Sequence, residues 1–157
     1  MRIAPGGAQL ALVALQAWQV AILWVHDWIP LGRLNDIAAV RAADSTARLV
    51  RVTLIQSVPY TLLLAWSLGL FGHPWPGQLV AWLGGACGVL LAGELKAWWI
   101  PYPIGTDAAR VERHRAMFGR THAILPPRRG LVPNTLHVML HAATLATVVV
   151  IVMTQVA

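Results

Sequence analysis

Three side chains in this sequence combine chemical capability with an apolar setting: Glu94, His137 and His141. The two histidines stand at i and i+4, so on a helix they share one face and can converge on one ion or substrate. With Glu94 from another segment they make three ligands, the number that catalytic zinc uses when it keeps one position open. A divalent metal is therefore one reading. The stretch His137-Val138-Met139-Leu140-His141 lacks the glutamate of the His-Glu-x-x-His protease motif, which weakens it. Acid–base work is the leading reading. Desolvation disfavours the charged form of a buried carboxyl, and imidazoles titrate near neutrality. Such a set can protonate or deprotonate an apolar substrate. The plainer alternative is a pair of histidines hydrogen-bonded within a bundle, with Asn134 and Thr144 nearby. Haem, held by His26 with His137 or His141, is not expected, because the opposite half offers no histidine pair for a second haem. Otherwise the cofactor stays open.

Other polar residues fall near these three. His26, Asp27, Gln56, Tyr60, Trp98 and Asn134 are candidates for positioning a substrate, and Arg120 and Arg128 for holding an anionic headgroup. Lys96 stands two residues from Glu94 and projects to a different face. Asp36, Asp44 and Asp107 read as helix caps or loop charges, and His122 as a loop histidine.

The segments that carry these residues are not those of a water-soluble domain. Of 157 residues, 57% are hydrophobic and 11% charged, where a soluble domain carries roughly a quarter charged. Mean hydropathy is +0.62. Four apolar stretches, about residues 10–28, 49–70, 78–100 and 133–155, each approach the ~20 residues that span a bilayer as helix. The expected fold is all-α: one domain, an integral membrane bundle of four transmembrane helices. The first stretch does not read as a signal peptide, since His26-Asp27 stands where a small-residue cleavage site would be. A lone cysteine, Cys87, excludes an internal disulfide.

The net charge of +6 resides in arginines that flank the spans. Topology explains them, and no nucleic-acid partner is expected. Arg33, Arg41 and Arg48 precede the second span, and six arginines from Arg110 to Arg129 separate the third from the fourth. Positive loops stay cytoplasmic, so both termini are expected outside, in a plasma (inner) membrane. Within the second basic loop, Asp107 can cap a short amphipathic cytoplasmic helix reaching Phe118, with Gly119 as its stop. Trp98, Trp99 and Tyr102 fit an interfacial aromatic belt.

Helical projection gathers the polar residues of each span into an arc. Gln9, Gln16, Gln19, His26 and Asp27 share one; Thr53, Gln56, Tyr60 and Ser67 another; Asn134, His137, His141 and Thr144 a third. Polar groups are costly against lipid, so the arcs should face each other. Glu94, Gln56 and the histidines lie in the cytoplasmic half, which predicts a polar pocket there, closed by apolar packing beyond. Gly84, Gly88 and Ala92 form a small-residue stripe that would admit a neighbouring helix or a second copy in a homo-oligomer. The expectation is a small membrane enzyme acting by acid–base chemistry on a lipidic or isoprenoid-like molecule. A proton- or metal-coupled transporter and a non-catalytic subunit of a membrane complex are the alternatives.

Overall fold

The computed structural model describes residues 3–156. These form seven α-helices: α1 (Gly7–Val25), α2 (Ile37–Ala43), α3 (Thr46–Gly69), α4 (Gly77–Glu94), α5 (Pro101–Ile104), α6 (Ala108–Phe118) and α7 (Thr135–Val156). The span beginning with α4 continues through α5 to Ile104, and four helices in all are long and apolar enough to cross a membrane.

Side chains set several of the starts. Asp36 accepts from the Ala39 N–H to begin α2, Ser45 from Arg48 to begin α3, and Asp107 from Arg110 to begin α6. Each cap satisfies one of the orphan donors of a first turn. The last long helix starts two residues after the expected Pro133, where Asn134 Oδ1 accepts from the His137 N–H at 3.0 Å. The short helix α6 spans the residues expected of it. The sequence reading had no counterpart for α2.

The four long helices close into a ring: α1 packs on α3 and α7, α4 packs on α7, and the seam between α3 and α4 is looser. At the arginine-rich end α2 and α6 pack on each other. The distribution of side chains is inverted relative to a soluble bundle. Ile55, Trp82 and Val89 are 68%, 68% and 76% exposed, while Gln9, Gln16, Gln19, Ser67, Thr144 and Thr147 are buried. An apolar exterior around a polar interior suits surroundings that compete for no hydrogen bonds.

Several of the buried polar groups pair across the bundle, while Gln16 Nε2, Gln19 Oε1 and Ser57 Oγ have no partner among the described residues. Gln19 Nε2 donates to Thr147 Oγ1 at 2.8 Å, and Ser67 Oγ to Gln16 Oε1 at 3.1 Å. Gln9 Nε2 donates to the His73 carbonyl at 2.6 Å, while its Oε1 accepts from the Gly72 N–H. Each such pair contributes on the order of 1 kcal/mol in an apolar medium. Beyond them the far end is plugged by Trp75, fully enclosed, whose backbone N–H donates to the Ile3 carbonyl at 2.9 Å while its indole Nε1 has no partner among the described residues. The half expected to close by apolar packing is thus closed partly by a polar clasp.

The small-residue stripe does not act as expected within the chain. A Cβ on Gly84 would meet Ile151 at an ordinary 3.9 Å, and one on Gly88 would meet nothing within 4 Å. Gly88 and Ala92 lie on the exposed side of α4. Instead α4 buries Leu83, Cys87 and Glu94, and Glu94 reaches Thr144 of α7.

Candidate functional site

Pro101 shapes the site from outside it. Lacking an N–H, it leaves the Ala97 carbonyl without its usual helical partner. The preceding residues Leu95–Trp99 widen into a π turn, in which the Ile100 N–H bonds to the Leu95 carbonyl at 2.8 Å. The carbonyls of Lys96 and Ala97 are taken up by Arg110 Nη2, at 3.4 and 2.7 Å. Single π turns inside longer helices recur at functional sites. Here the turn accompanies two adjacent tryptophans that both reach α7. The Trp98 ring lies 4.2 Å from the His137 ring, and Trp99 Nε1 donates to His141 Nδ1 at 3.1 Å. Sequence reasoning placed both tryptophans in an interfacial belt and named Trp98 alone as a candidate for positioning a substrate; the Trp-Trp-x-Pro order was the signal of something more.

The hydrogen bonds fix the tautomers of His137 and His141. Asn134 Oδ1 accepts a backbone N–H, so that atom is oxygen. His137 Nδ1, 2.6 Å from the same oxygen, must then carry its proton, which leaves the lone pair on Nε2. The opposite holds at His141. An indole N–H only donates, so His141 Nδ1 accepts from Trp99 and Nε2 bears the hydrogen of the neutral ring. His26 faces acceptors at both nitrogens: Nδ1 is 2.9 Å from the Ile22 carbonyl and Nε2 3.2 Å from Asp27 Oδ2. That geometry suits an imidazolium paired with Asp27. Helical projection sets the two about 100° apart; they meet in the turn that follows the end of α1 at Val25.

Glu94 is 5% exposed. Its Oε1 lies 2.9 Å from Thr144 Oγ1, and Oε2 has no hydrogen-bond partner. Among the described residues no Lys, Arg or His nitrogen pairs with it within 4 Å.

Glu94, His137 and His141 line one cavity of about 510 Å³ with His26, Asp27, Gln56, Tyr60 and Trp98. Leu23, Leu49, Val52, Leu90 and Leu140 supply apolar wall, and Ile55 and Val89 flank the α3–α4 seam. The Tyr60 hydroxyl donates to the Ala86 carbonyl at 2.6 Å, leaving only acceptor capacity for a ligand. At the arginine-rich end Asp44 and Arg48 join the lining, and Met117 and Phe118 of α6 contribute to the same wall.

Three candidates stand apart from this lining. Asn134 is 1% exposed and spends its side chain capping α7, orienting His137 and donating to the Leu34 carbonyl at 3.4 Å. Arg120 pairs with Asp36 through Nε and Nη2, at 2.9 and 2.8 Å. Arg128 lies over the Tyr102 ring at 5.6 Å. Asp44, expected as a cap or loop charge, is the residue that ends α2, and it receives Arg48 at 2.8 Å and Arg113 at 2.6 Å. Among the described residues no three His, Cys, Asp or Glu side chains gather closely enough to hold a metal.

The helix α6 docks on the site through His114 and Phe118, whose rings lie 5.0 and 5.1 Å from Trp98. Burial, with the nearby Arg110 charge, pushes the His114 imidazole down to about 4, and its Nε2 is enclosed without a partner. A folded pKa below the unfolded value of 6.5 means that the unfolded chain takes up the proton first. Stability from docked, neutral His114 is therefore complete above pH 6.5 and declines as pH falls toward about 4. His114→Gln should flatten that acid-side decline in thermal unfolding followed by circular dichroism. Parallel curves for variant and wild type would contradict the assignment.

Compared with known protein families, curated proteins and solved structures, this chain matches none.

Proposed function

We propose that this chain is a small membrane-embedded enzyme that takes an apolar, lipid-like molecule from the bilayer and acts on it by acid–base chemistry. The observation that carries the reading is the cavity itself. It is about 510 Å³, within the range of small-molecule sites, and it joins an unpartnered buried carboxyl oxygen to two imidazoles of opposite tautomer. The looser α3–α4 seam, flanked by exposed Ile55 and Val89, offers a lateral way in for a hydrocarbon chain.

The roles follow from the atoms. His137 Nε2, holding a lone pair, is the group able to accept a proton. His141 Nε2, bearing hydrogen, is able to donate a hydrogen bond to the reacting group. Glu94 supplies the exchangeable proton or its acceptor, and Gln56 and Tyr60 border the substrate. A headgroup role for Arg120 or Arg128 finds no support in their positions; Arg48, at the cavity's charged end, is the nearer cation. A transporter would need a path through the other half, where Gln9 holds the turn at Gly72–His73, Gln16 and Gln19 bond across to Ser67 and Thr147, and Trp75 fills the end. The test is whether the chamber holds such a molecule and loses it when the chamber is filled from Gly93, where an added Cβ meets nothing within 4 Å.

The proposed setting is a plasma (inner) membrane with the arginine-rich end cytoplasmic and both termini outside. In a Cys87→Ala background, a cysteine placed at His73 should react with an impermeant thiol reagent on intact cells, and one at Arg113 should not. The reverse pattern would invert the orientation.

A further inference from the structure

The chamber's arginine-rich end carries a positive charge that the chain does not offset, and this sets the class of headgroup. The step rests on the chamber being a ligand site, as proposed above. Asp44 and Arg48 both line the cavity. Asp44 Oδ1 receives Arg48 Nη1 at 2.8 Å and Arg113 Nη2 at 2.6 Å, so two guanidiniums share one carboxylate oxygen. Arginine stays charged in proteins, which leaves this cluster one positive charge in excess. Among the described residues no other Asp or Glu pairs with either arginine within 4 Å. Donors are in excess too. The Arg48 guanidinium meets Asp44 alone among the described residues, and Arg113 adds only the Ala43 carbonyl at 3.4 Å. Each guanidinium has five N–H groups to give, and the two side chains are 54% and 42% exposed.

The other ionisable groups of the lining do not cancel that charge. His26 faces Asp27 at 3.2 Å, and Glu94 is turned to Thr144 of α7 with its second oxygen enclosed. Gln56 lies about 12 Å farther along α3 than Arg48, and its amide both donates and accepts, so it does not select by charge. Val52, Ile55, Val89 and Leu90 make the wall around it apolar. A chamber charged at one end and apolar along its length suits a molecule of the same division. A protonated amine at the arginine end would meet like charge, and a hydroxyl would leave the excess unbalanced. Phosphate and carboxylate oxygens match the guanidinium fork. We infer that the chamber takes an anionic amphiphile, its phosphate or carboxylate held by Arg48 and Arg113 and its hydrocarbon lying past Gln56 toward Tyr60 and Val89.

The inference is tested with dodecyl phosphate, dodecanoate, dodecanol and dodecylamine, each carrying a diazirine at the far end of its chain. They are photolysed at equal mole fraction in phosphatidylcholine nanodiscs containing the full chain, and labelled peptides are mapped by mass spectrometry. The two anions should label the peptides holding Gln56, Tyr60 and Val89 about fivefold more than the alcohol, the effect of roughly one arginine near a membrane surface. The amine should label them least. Arg48→Gln should bring the anions down to the alcohol's level. Asp44→Asn removes the carboxylate that both guanidiniums share and should raise anion labelling, a change opposite in sign to simple disruption. Arg115→Gln, whose partner Glu112 stands outside the lining, should change nothing. Equal labelling by all four probes, or a preference for the alcohol or amine, overturns the anionic assignment and leaves the chamber a site for apolar chains. A preference that survives Gly93→Phe belongs to the basic surface outside the chamber and overturns it as well. Inorganic phosphate at millimolar concentration should compete weakly, having no chain to bury; full displacement by it identifies a free anion and removes the amphiphile. Labelling by none of the four removes both the assignment and the ligand-site reading beneath it.

Discussion

Glu94→Gln is expected to cut turnover by roughly a hundredfold to ten-thousandfold, the usual span for losing a general acid or base, while the protein stays folded. Glutamine keeps the shape and can still accept from Thr144 Oγ1, which lies 2.9 Å from Glu94 Oε1. What it loses is the proton that a carboxyl can exchange. Folding is checked by far-ultraviolet circular dichroism and thermal unfolding, and activity by single-turnover conversion of the chamber's own ligand. Undiminished conversion in a folded variant would remove Glu94 from the chemistry and leave it a buried hydrogen-bonding residue. His137→Gln makes the companion measurement, because it takes away the imidazole lone pair.

Trp75→Ala should carry the largest cost in stability, about 3–5 kcal/mol for emptying a packed site of that size. The side chain is fully enclosed, between the N-terminal segment and the start of α4, while Trp82 on the same helix is 68% exposed. Trp82→Ala should therefore change stability by less than about 0.5 kcal/mol, as surface changes do. The readout is reversible unfolding in mixed micelles for both variants. Equal effects would mean that Trp75 is not the plug of the far end.

The features legible in the sequence were those set by the cost of polar groups in apolar surroundings. That cost drew Gln16 toward Ser67 and Gln19 toward Thr147, and projection onto a helix was enough to find the arcs. It also brought Glu94, Gln56, His137 and His141 to one cavity. The cap at Asp107 was legible because it is local, within three residues. What escaped the sequence depended on departures from regular helix or on partners far along the chain. The π turn before Pro101 re-aims Trp98 and Trp99, and no 100° projection describes it. The His26–Asp27 pair forms just past Val25, where the helix stops three residues short of the expected Trp28. Arg120 and Asp36 are 84 residues apart, and only the docking of the arginine-rich loops decides that they meet. Small residues at Gly84 and Gly88 indicate where a backbone could approach, not whether one does. Among the described residues nothing lies within 4 Å of a Cβ placed on Gly88.

The central claim is that the cavity among α1, α3, α4 and α7 is built to hold an apolar-chain molecule, and native mass spectrometry from nanodiscs tests it most directly. Wild-type protein should carry one apolar-chain ligand that survives removal of the annular lipid. Gly93→Phe should carry none, because its ring would occupy the cavity that Gly93 lines. Its thermal unfolding should be close to that of the wild type, since the new Cβ meets no atom within 4 Å. An equal ligand mass on both proteins, or a wild type that retains nothing, would contradict the account.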